Sequence, residues 1–272
     1  MKKILLLLLI CVGFGNYAVS KDVAELLEIV KDEGDLGKRM VMVAESLAGS
    51  GRDEYYTTDS IASLRLNLDA FTPMTFVNTV AAIALNGGDA NGNALKVQDD
   101  FVRLSSRMGE NNGFPSIMWH TSDWIADNIY RGNLKELTEI YIEPRSKNKS
   151  LDYLSRHREE YAALKDPEIY DKVRMTEMGF RTRRIPYLQR HDIKKKAIDE
   201  EIKDGDVIIL VPNQDGVDMY EMGITKRDKD GIHLILFSNK QGQVEVTPEP
   251  LDRYMNSIAK YISGFRWVRF VL

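Results

Sequence analysis

The chain has 272 residues, 43% of them apolar, enough for a sizeable core in one large domain or two small ones. Its 37 Lys and Arg against 41 Asp and Glu give a formal net charge of −4, and a mildly acidic chain has no electrostatic reason to bind nucleic acid. Cys11 is the only cysteine, so no disulfide can form within the chain.

The N-terminus reads as an export signal. Lys2 and Lys3 precede an apolar run from Ile4 to Val12, and a small-residue site, Ala18-Val19-Ser20, follows before Lys21-Asp22. The run is too short for a ~30 Å bilayer, which needs roughly 20 residues. Residues 1–20 are therefore expected to be removed, leaving 21–272 as one domain, periplasmic or secreted, with no transmembrane segment. Loss of Lys2 and Lys3 would take the charge from −4 to −6. An uncleaved anchor and lipidation at Cys11 are the competing readings; Ile10 stands where a lipidation site wants a small residue. Cleavage after Ser20 leaves no cysteine, which excludes a cysteine hydrolase and a disulfide-stapled domain.

From Asp22 to about Leu164 the periodicity is helical. Val23, Leu26, Leu27 and Val30 recur at 3–4 spacing, as do Met40, Val43, Ala44 and Leu47. Phe76, Val80, Ile83 and Ala84 do the same and stop at Asn86-Gly87-Gly88; Phe101, Leu104 and Met108 follow a Gly/Asn-rich loop. The segment from Ser146 to Ala197 is charged and helix-prone, and is expected to wrap the outside. From Asp206 the texture is strand-like: Val207 to Val211, Val217 to Thr225, His233 to Ser238, Val244 to Val246 and Phe265 to Leu272, with a short helix near Arg253 to Ile262. Helices followed by an antiparallel sheet make an α+β fold.

Most chemical motifs are missing. Asp89-Ala-Asn91-Gly-Asn93 imitates a calcium loop, but Ala94 and Asp100 occupy the positions for Gly and Glu, so it reads as a polar loop. The four histidines, His120, His157, His191 and His233, lack metal-ligand spacing, and no metal or cofactor is expected. The basic stretch from Arg181 to Lys196 could meet anionic polymer or lipid, but interleaved acids make it a solvated face. There is no G-x-S-x-G elbow, P-loop or dinucleotide fingerprint. A carboxylate pair for glycoside hydrolysis stays open, because such partners need only meet in space.

One segment stands out. In Phe71-Thr72-Pro73-Met74-Thr75-Phe76-Val77-Asn78, Thr72 reads as an N-cap and Pro73 as the first helical residue. Together with Val43-Ala-Glu-Ser-Leu-Ala-Gly49, Leu66-Asn-Leu-Asp-Ala-Phe71, Thr121-Ser-Asp-Trp-Ile-Ala-Asp-Asn128, Asp204-Gly-Asp-Val-Ile-Ile209, Gly223-Ile224 and His233 to Ser238, it resembles the exported NlpC-type papain-like cell-wall amidases, in the N-acetylmuramoyl-L-alanine amidase-like branch, from about Glu45 to Leu272. The resemblance implies a papain-like α+β fold, a helical layer packed on a small antiparallel sheet.

It also implies a lost triad. The family writes its nucleophile helix Phe-Asp-Cys-Thr-Thr-Phe-Val-Glu; here the cysteine position is Pro73 and the final Glu is Asn78. The general-base histidine, which precedes a hydrophobic residue and Gly-Ile, falls on Glu221, and a second histidine on the next strand falls on Leu236. An arginine expected near Ile117 is missing. The resemblance thus implies an inactive homologue that binds peptidoglycan fragments (muropeptides) or another envelope protein. Asp123, Trp124 and Tyr220 are expected to line the groove beside the Pro73 helix, although Trp124 could equally be core. Two alternatives stay open: a cell-wall hydrolase using Glu221 and a neighbouring carboxylate, and a purely structural interaction protein.

Overall fold

The computed structural model describes residues 22–87 and 93–271. The expected signal segment, with Cys11 and Ala18-Val19-Ser20, lies outside the described residues, as do Asp89 and Asn91 of the calcium-like loop.

The helices begin where the chain supplies caps. Asp22 accepts from the Ala24 N–H at α1 (Val23–Val30), and Asp35 accepts from the Lys38 N–H at α2 (Leu36–Ser46). The short β1 (Gly51–Arg52), α3 (Tyr55–Thr58) and β2 (Ala70–Phe71) follow, with β1 and β2 paired in parallel. At α4 (Pro73–Asn86), Thr72 and Thr75 exchange side-chain and backbone hydrogen bonds in a reciprocal cap, and Pro73 occupies a first-turn position where its missing N–H costs nothing. Asn93 caps α5 (Ala94–Ser105).

Helix α4 is the centre of the helical layer. Every residue from Phe76 to Ala84 is buried, as expected of a helix enclosed on all sides. Its large side chains, each worth about 1.5–3 kcal/mol of burial, pack with α1, α2 and α5 on one side and the sheet on the other.

Helix α6 (Thr121–Tyr130) is begun differently. Its N-cap residue, His120, makes no capping bond. Asp218, almost a hundred residues later, accepts from the Thr121 N–H at 3.1 Å and the Ser122 N–H at 2.6 Å. A long-range carboxylate therefore satisfies two donors that the local sequence leaves open.

The segment expected to wrap the outside contributes to the sheet instead. After β3 (Leu134–Glu136), it forms β4 (Arg145–Lys149), α7 (Tyr153–Arg156), α8 (Pro167–Met178), β5 (Arg183–Gln189) and α9 (Lys196–Asp199). Strands β4 and β5 pair over five residues, and β5 reaches the sheet through Gln189 and Leu188. Ile185 and Leu188 in β5 are fully buried, although the charges around them mask that pattern in the sequence. Part of the basic stretch is paired: Arg184 with Glu139, Lys194 with Asp252 and Lys195 with Asp192.

The remaining strands are β6 (Val207–Pro212), β7 (Glu221–Asp228), β8 (Gly231–Ser238), β9 (Gln243–Val246) and β10 (Ile262–Phe270), with α10 (Leu251–Ser257) before the last. They make an antiparallel sheet ordered β4-β5-β10-β6-β7-β8-β9, and β3 pairs with the end of β10. The mixed α+β architecture expected from the sequence is present. The sheet is buried on both faces. Val207, Ile209, Met222, Ile224, Ile235 and Phe237 join the α4 core. Ile208, Leu210, Leu234 and Leu236 point the other way, into a second core with Leu251 and Met255 of α10.

The turn before β6 docks against α2 through glycines. Gly205 has φ +81°, and a Cβ there would lie 2.3 Å from the Gly37 Cα. Gly205→Ala is expected to destabilise the fold by at least about 1–3 kcal/mol, from backbone strain and overpacking together. Urea denaturation would read the loss, and an unchanged midpoint would contradict the close approach.

Candidate functional site

Pro73 opens α4 as expected and lines a pocket of about 200 Å³. Thr72 accepts the Thr75 N–H through its side chain and the Phe76 N–H through its carbonyl. Proline has no N–H, so Met74 carries the remaining free donor at this end of the helix, among the described residues. The pocket walls are apolar and aromatic, including Leu64, Met74, Trp119, Tyr161 and Met219. Tyr56 adds a hydroxyl. Its ring is 3% exposed, and its oxygen has no partner of good hydrogen-bond geometry among the described residues. Burial pushes that hydroxyl up to about 12, with the Arg65 backbone pulling weakly the other way.

The pocket floor is Asn78 and Ser105. Asn78 donates to the Ser105 hydroxyl at 2.9 Å and accepts from the Trp124 indole N–H at 3.0 Å. Trp124 has no exposed surface. The expectation that it lines the groove is corrected: it stands behind the floor, against Phe270, and fixes the Asn78 amide. Asp123 is not in the lining of the Pro73 pocket either. Arg107 holds its carboxylate at 2.5 Å, beside the start of α6.

The three positions read as a degenerate triad do not converge. Pro73 lies on the helical side of the sheet. Glu221 points to the opposite side, where its Oε2 accepts from the Tyr254 hydroxyl of α10 at 2.6 Å and its Oε1 from the Asn239 N–H at 3.0 Å. Leu236 packs on that same side with Leu251 and Met255. Strand alternation gives the reason: Met222 and Phe237, one residue on, face α4. Tyr220 is likewise on the α10 side, stacked on Tyr261 at 5.5 Å. The groove expected to join Asp123, Trp124 and Tyr220 is therefore not formed. Burial raises the Glu221 carboxyl above the usual range, although Tyr254 and Asn239 oppose the shift.

No histidine lines the Pro73 pocket among the described residues. His157 stacks on Tyr153, and His233 bonds the Thr247 carbonyl and Asp230. His120 is buried behind the wall, with Nε2 3.0 Å from Glu177 and Nδ1 4.0 Å from Asp218. Burial alone would lower its pKa, but the Glu177 hydrogen bond and the Asp218 charge outweigh it and raise it. Glu177 and Asp218 are lowered despite burial, Glu177 mainly by hydrogen bonds from His120 and Ser155, Asp218 mainly by the His120 charge and Ser122. This cluster positions the pocket indirectly, since Trp119 precedes His120 and Met219 follows Asp218 in the chain. Sequence reasoning missed it, because its members are far apart in the chain and none sits in a motif.

Two expectations follow. Trp124→Phe removes the only indole donor to Asn78 and should cost about 1–3 kcal/mol for a buried acceptor left unpaired, read by thermal or urea unfolding; a neutral change would contradict the network. His120 has a raised folded pKa, so its contribution is present below the ordinary histidine range and is lost as pH rises through the folded value. Glu177 and Asp218 contribute above the ordinary carboxylate range and lose that contribution as pH falls through their lowered values. Urea stability should therefore fall as pH rises above the ordinary histidine range and through the raised value, and His120→Gln should flatten that arm. An unaltered pH profile in the variant would contradict the pairing.

Comparison with known proteins agrees with the architecture. A crystal structure of an N-acetylmuramoyl-L-alanine amidase from Bacteroides uniformis superposes with TM-score 0.78 at 24% identity, over 88% of this chain and 100% of that one; at this identity the likeness shows the fold. A Bacteroides fragilis protein whose proposed activity is that of a xylanase gives 0.74 at 27% identity, over 83% and 98%. A Legionella pneumophila protein gives 0.70 at 16% identity, over 92% and 93%. No curated protein matches the chain by sequence. The family model described as N-acetylmuramoyl-L-alanine amidase-like matches residues 45–262. That match takes in the Pro73 helix, the α6 start and the strands from β1 to β9, stopping at the first residue of β10, and the chain belongs to the N-acetylmuramoyl-L-alanine amidase-like family.

Proposed function

We propose that this chain is an exported, non-catalytic amidase homologue that binds the peptide stem of peptidoglycan fragments in the Pro73 pocket. One observation carries the reading. The helix N-terminus at which the resemblance puts a nucleophilic thiol is present, but it begins with proline. The chain's only cysteine is Cys11, and no imidazole lines the pocket among the described residues. Thr72 and Thr75 are the nearest hydroxyls, and they are committed to each other as the helix cap. A hydroxyl nucleophile needs a general base in reach, and among the described residues no imidazole or carboxylate lines this pocket.

What the pocket offers is recognition. The Met74 N–H supplies a donor at the positive end of a helix dipole, which suits a carbonyl or carboxylate oxygen. Trp119, Tyr161 and the Met74 and Met219 side chains supply the apolar surface that a small aliphatic residue would cover. The carboxylate-hydrolase alternative has less behind it, because both Glu221 oxygens are held by internal donors on the other side of the sheet.

Titration calorimetry with a sugar-free stem peptide should show binding, and Met74→Ala should weaken it roughly three- to tenfold through lost apolar contact while circular dichroism is unchanged. Absence of binding would move the protein to the structural alternative. Pro73→Cys should create a thiol that iodoacetamide modifies, without any release of stem peptide from muropeptides. Thiol-dependent turnover in that variant, or any turnover by the wild type, would overturn the non-catalytic reading.

A further inference from the structure

On the far side of the sheet, between the ends of β7 and β8 and helix α10, lies a cleft of about 720 Å³, several times larger than the Pro73 pocket and within the size range of small-ligand sites. Its inner end is Glu221, 1% exposed, braced by Tyr254 and the Asn239 backbone. One wall is the Tyr220–Tyr261 pair, whose rings are within 8° of parallel. Tyr261 is 45% exposed at the mouth of the cavity, with the Lys260 ammonium on its flexible stem 4.6 Å above the ring, so a ligand ring stacking there would displace Lys260. The rest of the lining is Pro248 and Ile258 with hydroxyl and amide groups, and Glu245 and Glu249 are set against Lys240 and Lys260.

These features select a ligand class. The four rim charges cancel in sign, so the cleft has little net pull on an ion. Glu221 is not a free anion awaiting a cation, because both of its oxygens already accept from the protein. Burial, reinforced by the Glu245 charge, also disfavours its ionised form. Each carboxyl oxygen has more than one lone pair, so Glu221 can still accept from a ligand hydroxyl. Flat aromatic surface beside planar hydrogen-bonding groups suits a molecule with an apolar ring face and many hydroxyls. We propose that this cleft is a second ligand site, separated from the Pro73 pocket by the sheet, and that it takes a neutral oligosaccharide. Tyr261 and Tyr220 supply the platform, and Glu221 with the cleft amides reads the hydroxyls.

The proposal does not depend on the peptide-stem reading, and the probes keep the two apart. Calorimetric titration of the full chain would use peptide-free tetramers of N-acetylglucosamine, xylose and glucose, with spermidine and citrate as charged controls. At least one tetramer should bind in preference to both controls. Tyr261→Ala, at an exposed position that leaves the fold intact, should weaken that binding about tenfold, the scale of one aromatic contact. Met74→Ala should leave it unchanged. Failure of all three tetramers to bind at millimolar concentration overturns the site, as does tighter binding of spermidine or citrate. Equal affinity in the wild type, Tyr261→Ala and Tyr220→Ala would do the same.

Discussion

The structure turns on the burial of one antiparallel sheet from both sides. In β7 and β8 each residue must face either the α4 core or the α10 core, because side chains alternate along a strand. Met222, Ile224, Ile235 and Phe237 take the α4 side; Leu234, Leu236 and Glu221 take the other. A slip of one residue would exchange every member of the two sets. That constraint decides which side chains can reach the Pro73 helix, and it isolates Glu221 and Tyr220 from it.

The same constraint explains what the sequence made legible. Helices α1, α2, α4 and α5 were visible because their apolar stripes and caps are local: Thr72-Pro73 announces α4, and the 3–4 spacing of Val23 to Val30 announces α1. The strands β6, β8 and β9 were visible as apolar runs between turns. Their facing was not. Val207-Ile-Ile-Leu-Val211 is buried throughout, so nothing in its hydrophobicity tells one face from the other. The register of Glu221 and Leu236 against Pro73 was therefore carried by the resemblance alone, and there it is wrong for this chain. The edge strand β4 and its neighbour β5 were hidden by charge, since Arg145 to Lys149 is mostly exposed and polar and β5 opens with the exposed Arg183 and Arg184 before its packed residues.

Trp124 shows a different limit. Its motif, Thr121-Ser-Asp-Trp124, is well matched to the family, and a tryptophan beside a groove invites a ligand role. The structure gives the motif to architecture. Asp218 supplies the missing cap of α6, Arg266 donates to the Ser122 hydroxyl at 2.8 Å, Arg107 holds Asp123, and Trp124 ties α6 to Asn78 on α4. The result is a rigid frame behind the pocket, in which His120, Glu177 and Asp218 share buried charge.

The most direct test of the account is a crystal structure of the chain after prolonged incubation with an intact muropeptide carrying both sugar and stem. The account predicts an uncleaved ligand, with its stem against Met74, Trp119 and Met219 beside Pro73. A cleaved ligand, or a stem amide lying against Glu221, would contradict it.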